Sequence, residues 1–402
     1  MTQKEKIAYL YNAAQKEVKE NILNYWITLM IDDDQGGFYG SRDFYNRLNK
    51  TASKGAVLNS RILWTFSRAY NTFKKLEYLT VAQRAYEYLE KYFRDPVHDG
   101  IYWELDYLGN PVNTQKYGYA QGFWMYGLVE YYLARGEKAA LDTALRVFEL
   151  LQEKALDRER NGYWEAFARD WSFTQDVRIS EKDLNENKTF NTHLHILEPF
   201  TTLYRVTNDV RVGEALKNIT QLMFERFYNP STGHFHLFFD DNWQVKGDLV
   251  SYGHDIEAAW LLWEALQALG DENLISQYAN TVVHIVEISA LESFDVDGGQ
   301  FYEGNSQGIV DTDKHWWPQA EAVVSFINAW QMTGDEKFLD FAYRTWRFIE
   351  QYLIDPKLGE WHWKVNKQGK PDTSQVRAGF WKCPYHNSRA CFEIIKRLSN
   401  HE

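Results

Sequence analysis

Two periodicities alternate along the chain. Over Val81–Tyr92 (VAQRAYEYLEKY) apolar residues return at three- and four-residue steps, which predicts a helix with one buried face. Ala258–Leu269 (AAWLLWEALQAL) is apolar nearly all round, which predicts a helix buried on every side. Between such stretches lie segments of a second kind. They are GGFYG from Gly36, DGIYWELD from Asp99, NGYWEAFARDW from Asn161, TGHFHLFFDDNW from Thr232, GGQFYEG from Gly298 and GEWHWKVNKQG from Gly359. Each opens on glycine in a polar setting and continues with alternating aromatics. That pattern reads as a turn running into a short strand, half of a hairpin.

Glycines 37, 100, 162, 233, 299 and 359 of these segments are spaced by 63, 62, 71, 66 and 60 residues. A period near 64, repeated six times, uses the whole chain and leaves room in each unit for two helices. Stacked helix pairs make either an open superhelix or a closed toroid. Aromatic-rich helix starts facing a common centre favour closure. The expected fold is therefore all-α: a single (α/α)6 barrel over residues 1–402, with inner and outer rings of six helices and short β-hairpins in the loops at one end. An open helical array is the alternative.

Each aromatic segment is followed by another helix start with unusual polar content. These are NSRILW at Asn59, YGYAQGFW at Tyr117, NTHLHILEPF at Asn191, SYGHDIEAAW at Ser251, HWWPQAEAVV at His315 and WKCPYHNSR at Trp381. Asn59, Asn191 and Ser251 suit helix N-caps, and Pro318 and Pro384 suit a first helical turn. In a closed barrel these starts meet at one end of the central cavity. Arg61, Tyr119, His195, His254, Trp317, Glu321, Trp381 and His386 would then surround one pocket. Capping explains Asn and Ser there, but not three His, an Arg and paired Trp. Histidine exchanges protons near neutral pH, and a helix N-terminus favours its neutral form. Arginine stabilises an oxyanion, tryptophan faces stack on sugar rings, and carboxylates and amides bind hydroxyls. Together these point to proton transfer on a neutral polyhydroxylated substrate.

Other groups carry plainer readings. His193 and His195 diverge on a helix, which leaves His193 structural. His234 and His236 share a strand face that suits a metal, but no third ligand is spaced with them. Cys383 lies three residues before His386 as a nucleophile would, yet a free buried thiol is the simpler reading.

Composition adds limits. The 16 Trp, 26 Tyr and 24 Phe make 16% of the 402 residues. The net charge of −12 argues against nucleic acid. Cys383 and Cys391 make no disulfide framework and read as free thiols in a reducing compartment. MTQKEKIAYLYN carries no apolar signal region, and no stretch suits a membrane span. A cytoplasmic protein is expected.

At these motifs the sequence resembles the N-acylglucosamine 2-epimerase superfamily. LNSRILW (Leu58–Trp64), NTHLHILE (Asn191–Glu198), SYGHDIEA (Ser251–Ala258), WWPQAEA (Trp316–Ala322) and WKCPYHN (Trp381–Asn387) carry the resemblance, in order across nearly the full length. It implies the same barrel and a reversible epimerisation at C2 of the reducing-end glucose of a β-1,4-linked disaccharide. Cellobiose would give glucosyl-mannose, and lactose epilactose. By the resemblance, His254 and His386 are the catalytic pair, His195 a third catalytic histidine and Arg61 the residue that stabilises a cis-enediolate. Glu257 supports the His254 site. Tyr119, Asp183, Asn191, Trp260, Trp317, Glu321 and Trp381 contact sugar. The family needs neither metal nor redox cofactor. The partner implied is a small disaccharide, with the chain a monomer or weak homodimer. One departure is Gly122 in YAQGF, where the family more often has Ala. Rival activities are a β-mannobiose or N-acylglucosamine 2-epimerase, an aldose–ketose isomerase, and a glycoside hydrolase using Glu257 and Glu321.

Overall fold

The structure is a computed structural model that describes residues 1–399. The two predicted helix types alternate in it. Chain order runs α1 (Gln3–Lys16), α2 (Asn24–Leu29), α3 (Ala56–Phe73), α4 (Leu76–Tyr88), α5 (Gly118–Arg135), α6 (Lys138–Leu150) and α7 (Phe190–Thr207). It continues through α8 (Val210–Leu222), α9 (Tyr252–Leu269), α10 (Glu272–Ser293), α11 (Trp316–Thr333), α12 (Glu336–Phe348) and α13 (Tyr385–Leu398). In α11 every residue from Trp316 to Trp330 is buried. In α12 only Phe338, Leu339, Ala342, Thr345, Trp346 and Phe348 are, the single stripe of an outer helix.

The odd-numbered helices from α3 to α13 pack side by side in sequence, and α13 packs back against α3. This is the closed inner ring of an (α/α)6 barrel, and the even-numbered helices wrap it together with α1. Helices α3, α5, α7, α9 and α11 are each 18 residues long. Each ends in a two-residue loop whose first member is left-handed: Lys74, Gly136, Asn208, Gly270 and Gly334, with φ between 50° and 73°. Equal length and an equal turn return each outer helix to the same level, so the starts of the inner helices gather at one end.

The short strands join neighbouring units. Lys54–Gly55, just before α3, pairs antiparallel with Glu104–Leu105 of the next unit. Lys116–Tyr117 pairs with Ala166–Phe167, Lys188–Thr189 with Phe238–Phe239, Val250–Ser251 with Glu303–Gly304, and Lys314–His315 with Lys364–Val365. A bridge from Arg42 to Ala378 closes the circle.

A row of buried lysines braces these joints. Lys54 Nζ meets Asp32 at 2.8 Å, Lys116 meets Asp95 at 3.0 Å and Lys188 meets Asp157 at 2.7 Å. Lys314 meets Asp295 and Asp297, both at 2.7 Å, and Lys382 pairs with Glu360. In the fourth unit both charges are gone together: Val250 stands at the lysine position and Asn229 opens the turn. A buried ion pair is nearly neutral to lose whole and costly to lose by half. Lys188→Met alone is therefore expected to cost about 3–5 kcal/mol in urea unfolding, because Asp157 stays buried. Adding Asp157→Asn, which copies the fourth unit, should recover much of that loss. Equal stability of the single variant and the wild type would refute the brace.

The caps differ from expectation in part. Asn59 lies inside α3, where its Nδ2 donates to Gly55 O at 2.8 Å. Asn191 is the second residue of α7, which Thr189 caps instead. Ser251 does occupy the cap position of α9, but its hydroxyl bonds the His254 ring rather than a backbone N–H. Pro384 occupies the cap position of α13 and Pro318 the first turn of α11. Among the described residues no helix is long and apolar enough to cross a membrane.

Candidate active site

A cavity of about 440 Å³ opens at the end of the barrel where the inner helices start. Arg61, Tyr119, Asp183, Asn191, His195, His254, Glu257, Trp317, Trp381 and His386 line it, although they span most of the chain. Two residues expected to touch sugar do not line it. Trp260 lies beneath, its Nε1 donating to Glu321 Oε2 at 3.0 Å, and Glu321 is itself spent on groups under the floor. Both fall one helical turn too deep for direct contact. The lining also includes residues the sequence reading did not single out, among them Glu165, Tyr302, His315 and Trp363.

Each pocket histidine is held from behind. His386 Nδ1 lies 2.6 Å from Glu321 Oε1, His195 Nδ1 lies 3.0 Å from Glu198 Oε2, and His254 Nδ1 lies 2.8 Å from Ser251 Oγ. With Nδ1 engaged, Nε2 is the atom left for a substrate. Burial, with His195 nearby, lowers the His254 imidazole to about 3. Burial, together with the Arg61 and Arg389 charges, holds His386 well below the usual imidazole range. Burial also lowers His195. The three rings are therefore neutral near pH 7 and able to accept a proton. The Trp317 ring lies beside two of them, 4.8 Å from His254 and 5.5 Å from His386 by ring centres.

Arg61 is held by neutral partners. Its Nη2 donates to Tyr119 Oη at 2.8 Å, and the guanidinium lies over Phe123 at 4.2 Å and Tyr385 at 4.7 Å. Cys383 Sγ is 3.7 Å from Nη1, a buried thiol beside the cation. The positive charge thus remains available for an oxyanion. Gly122 fits α5 against α7 here: a Cβ at that position would lie 2.4 Å from the carbonyl oxygen of His195.

Beneath the floor stands a group that sequence reasoning missed. Buried Arg389 pairs with Glu198, Glu257 and Glu321, which come from α7, α9 and α11. Burial alone would raise Glu198, but Arg389 and His195 outweigh it and hold this carboxyl at about 2. Burial and the Glu321 charge push Glu257 well above the usual carboxylate range, so its protonated form is favoured. The expectation that Glu257 supports His254 needs correction. Its carboxylate pairs with Arg389 and lies 3.8 Å from His386 Nδ1, while Ser251 holds His254. His195–Glu198 and His386–Arg389 are both i, i+3 pairs, a spacing visible in the sequence.

His193 and His234 are structural. His193 Nδ1 meets Thr189 O at 2.7 Å and its Nε2 accepts from Tyr163 N at 2.8 Å. His234 is bound on both sides, by Asp255 at 2.7 Å and Glu292 at 3.0 Å, so no ring nitrogen is left for a metal. Burial lowers His193 to about 3. Below pH 6.5 the unfolded chain takes up this proton and the folded chain does not, so His193 costs stability as pH falls from about 6.5 to 3. The slope is about 1.4 kcal/mol per pH unit. Buried Glu165, raised to about 8, contributes with the opposite sign. The test is therefore a difference: His193→Gln should gain on the wild type by that slope between pH 7 and 5 in denaturant titrations. A difference that stays constant with pH refutes it.

The family model for N-acylglucosamine 2-epimerase (GlcNAc 2-epimerase) matches residues 37–390. The chain is 46% identical to the cellobiose 2-epimerase of Bacteroides fragilis, over 95% of this chain and 97% of that one. It is 40% identical to the cellobiose 2-epimerase of Ruminococcus albus over the same shares. The solved cellobiose 2-epimerase of Bacillus thermoamylovorans B4167 superposes with a TM-score of 0.93 at 39% identity, covering 97% of this chain and all of that one. With its motifs, its barrel and its cavity in agreement, the chain belongs to the N-acylglucosamine 2-epimerase family.

Proposed function

We propose that the protein is a cellobiose 2-epimerase, with the whole chain acting as one catalytic domain. It inverts C2 of the reducing-end glucose of β-1,4-linked disaccharides, turning cellobiose into glucosyl-mannose and lactose into epilactose. One observation carries the reading: two neutral imidazoles, His254 and His386, line one cavity, and both lie beside the Trp317 ring. Inversion without redox chemistry needs a proton removed from one face of C2 and returned to the other.

The steps follow from this chain's residues. Opening of the reducing-end ring exposes a C1 aldehyde, which acidifies the proton on C2. One imidazole takes that proton through Nε2, and a cis-enediolate forms. Arg61 and His195 stabilise its negative oxygens, and Tyr119 keeps the guanidinium aimed. Rotation about C2–C3 presents the other face, and the second imidazole returns a proton. Asn191, whose buried Oδ1 has no protein partner, accepts from a sugar hydroxyl, and Asp183 and Trp381 complete the wall. A cavity of this size lies in the usual range for a bound small molecule.

A hydrolase reading fits poorly. Glu257 and Glu321 offer ligand atoms within 4.8 Å of one another, and both are held by Arg389 Nη2. A scissile bond needs its two carboxyls on opposite sides, about 5 Å apart or more. Incubation with cellobiose, lactose, mannobiose, mannose and N-acetylglucosamine, with products resolved by chromatography, tests the proposal. The expected result is the C2 epimers of cellobiose and lactose as the main products. Release of glucose, or ketose as the main product, would overturn it.

A further inference from the structure

The residue just before α7, α9 and α11 has a fixed direction. Strand side chains alternate, and the lysine braces occupy the position before it, pointing away from the cavity. The next residue points in: Thr189, Ser251 and His315 all line the cavity. Thr189 bonds Glu165 and Ser251 bonds His254. His315 is different. It is 95% buried, and its Nε2 has no hydrogen-bond partner in the protein.

A buried polar atom without a partner calls for an explanation. The ring itself is firmly placed, stacked on Tyr302 with centres 3.7 Å apart and planes 8° from parallel. Tyr302 in turn meets Trp317 edge-on at 6.3 Å, and Trp317 is the ring that neighbours both His254 and His386. His315 is thus one aromatic ring further along the wall that covers the reacting sugar. Asp311 and Asp313 offer oxygens within 4.8 Å of it, but Lys364 Nζ already occupies Asp313 at 2.8 Å. Burial, with the Lys364 and Lys182 charges, holds the imidazole neutral. A cation there would be repelled by the two lysines. A neutral ring nitrogen among charged donors and acceptors suits a hydroxyl.

Resting on the epimerase reading, we propose that His315 is a specificity-determining residue that hydrogen-bonds a hydroxyl of the distal, non-reacting ring of the disaccharide. In the proposed mechanism the reacting ring lies against His254 and His386, and Tyr302 separates His315 from the Trp317 ring beside them, which leaves His315 to the second ring. A monosaccharide leaves Nε2 unpartnered.

The test is a ratio. His315→Phe keeps a ring on Tyr302 and removes the nitrogen, while His315→Gln returns a hydrogen-bonding group. The ratio of kcat/KM for cellobiose to that for mannose is expected to fall about tenfold in His315→Phe and to recover in His315→Gln, the size of one lost hydrogen bond. A parallel fall with both sugars, or no change with either, overturns the proposal. Cellobiose analogues lacking single distal hydroxyls apply the same test to the unaltered protein: one should lose about tenfold, and uniform turnover of all of them overturns it. If the wild type epimerises no sugar, the epimerase reading has failed and His315 is judged by binding. Calorimetry should then show His315→Phe weakening cellobiose about tenfold relative to glucose, and equal weakening refutes the contact.

Discussion

His254→Ala and His386→Ala are each expected to lower kcat for cellobiose epimerisation by about 10²–10⁴-fold, the usual contribution of a general acid–base group. Sugar affinity should change far less, because Trp317, Trp381 and Asn191 remain. The more telling result comes from proton NMR in D2O. Each variant keeps one imidazole, and that imidazole still reaches the C2 proton of the one epimer presented to it. Each should therefore wash deuterium into one epimer without inverting it, and the two variants should choose opposite epimers. Near-wild-type turnover in either variant, or both variants exchanging the same epimer, would sink the two-base mechanism. So would wild-type product without deuterium at C2 in a single turnover.

Arg389→Met is expected to be as damaging by a different route. Arg389 touches no cavity surface, yet it holds three buried carboxyl groups and is the counter-charge for Glu198. Removing it leaves the ionised Glu198 buried without its partner, at a cost of about 3–5 kcal/mol. Two of the three carboxyl groups also hold the backs of His195 and His386, so catalysis should fail in whatever protein still folds. Adding Glu198→Gln removes that charge and should return part of the stability without restoring turnover. Urea unfolding and epimerisation assays on the single and double variants measure both effects. Unchanged stability in Arg389→Met would refute the counter-charge role.

Much of this was legible in the sequence, for a physical reason. A six-fold period of glycines and aromatics repeats because each unit must make the same turn, and the ring follows from the repeat. His195, His254 and His386 stood out because imidazoles at apolar helix starts have no structural excuse. Asn59 and Asn191 misled because an asparagine before an apolar run looks like a cap; the helices in fact begin several residues and one residue earlier. Trp260 and Glu321 were assigned to sugar because spacing along a helix tells which face a residue occupies, but not how far below the cavity it lies. Arg389 was passed over although it sits three residues after His386. A lone charge in a helix is usually solvated, and its burial depends on three carboxylates from three other helices. The lysine braces were invisible for the same reason, since each partner lies in a turn 17 to 31 residues away.

The return of α13 onto α3, with the bridge from Arg42 to Ala378, gives the molecule no terminal repeat. A linear array of helix pairs can fray from its ends and lose one unit while the rest stays folded. Here every unit has two neighbours, so opening any one joint exposes two faces and severs the shared cavity wall. Partial melting is thereby disfavoured, and the six units stand or fall in a single cooperative step.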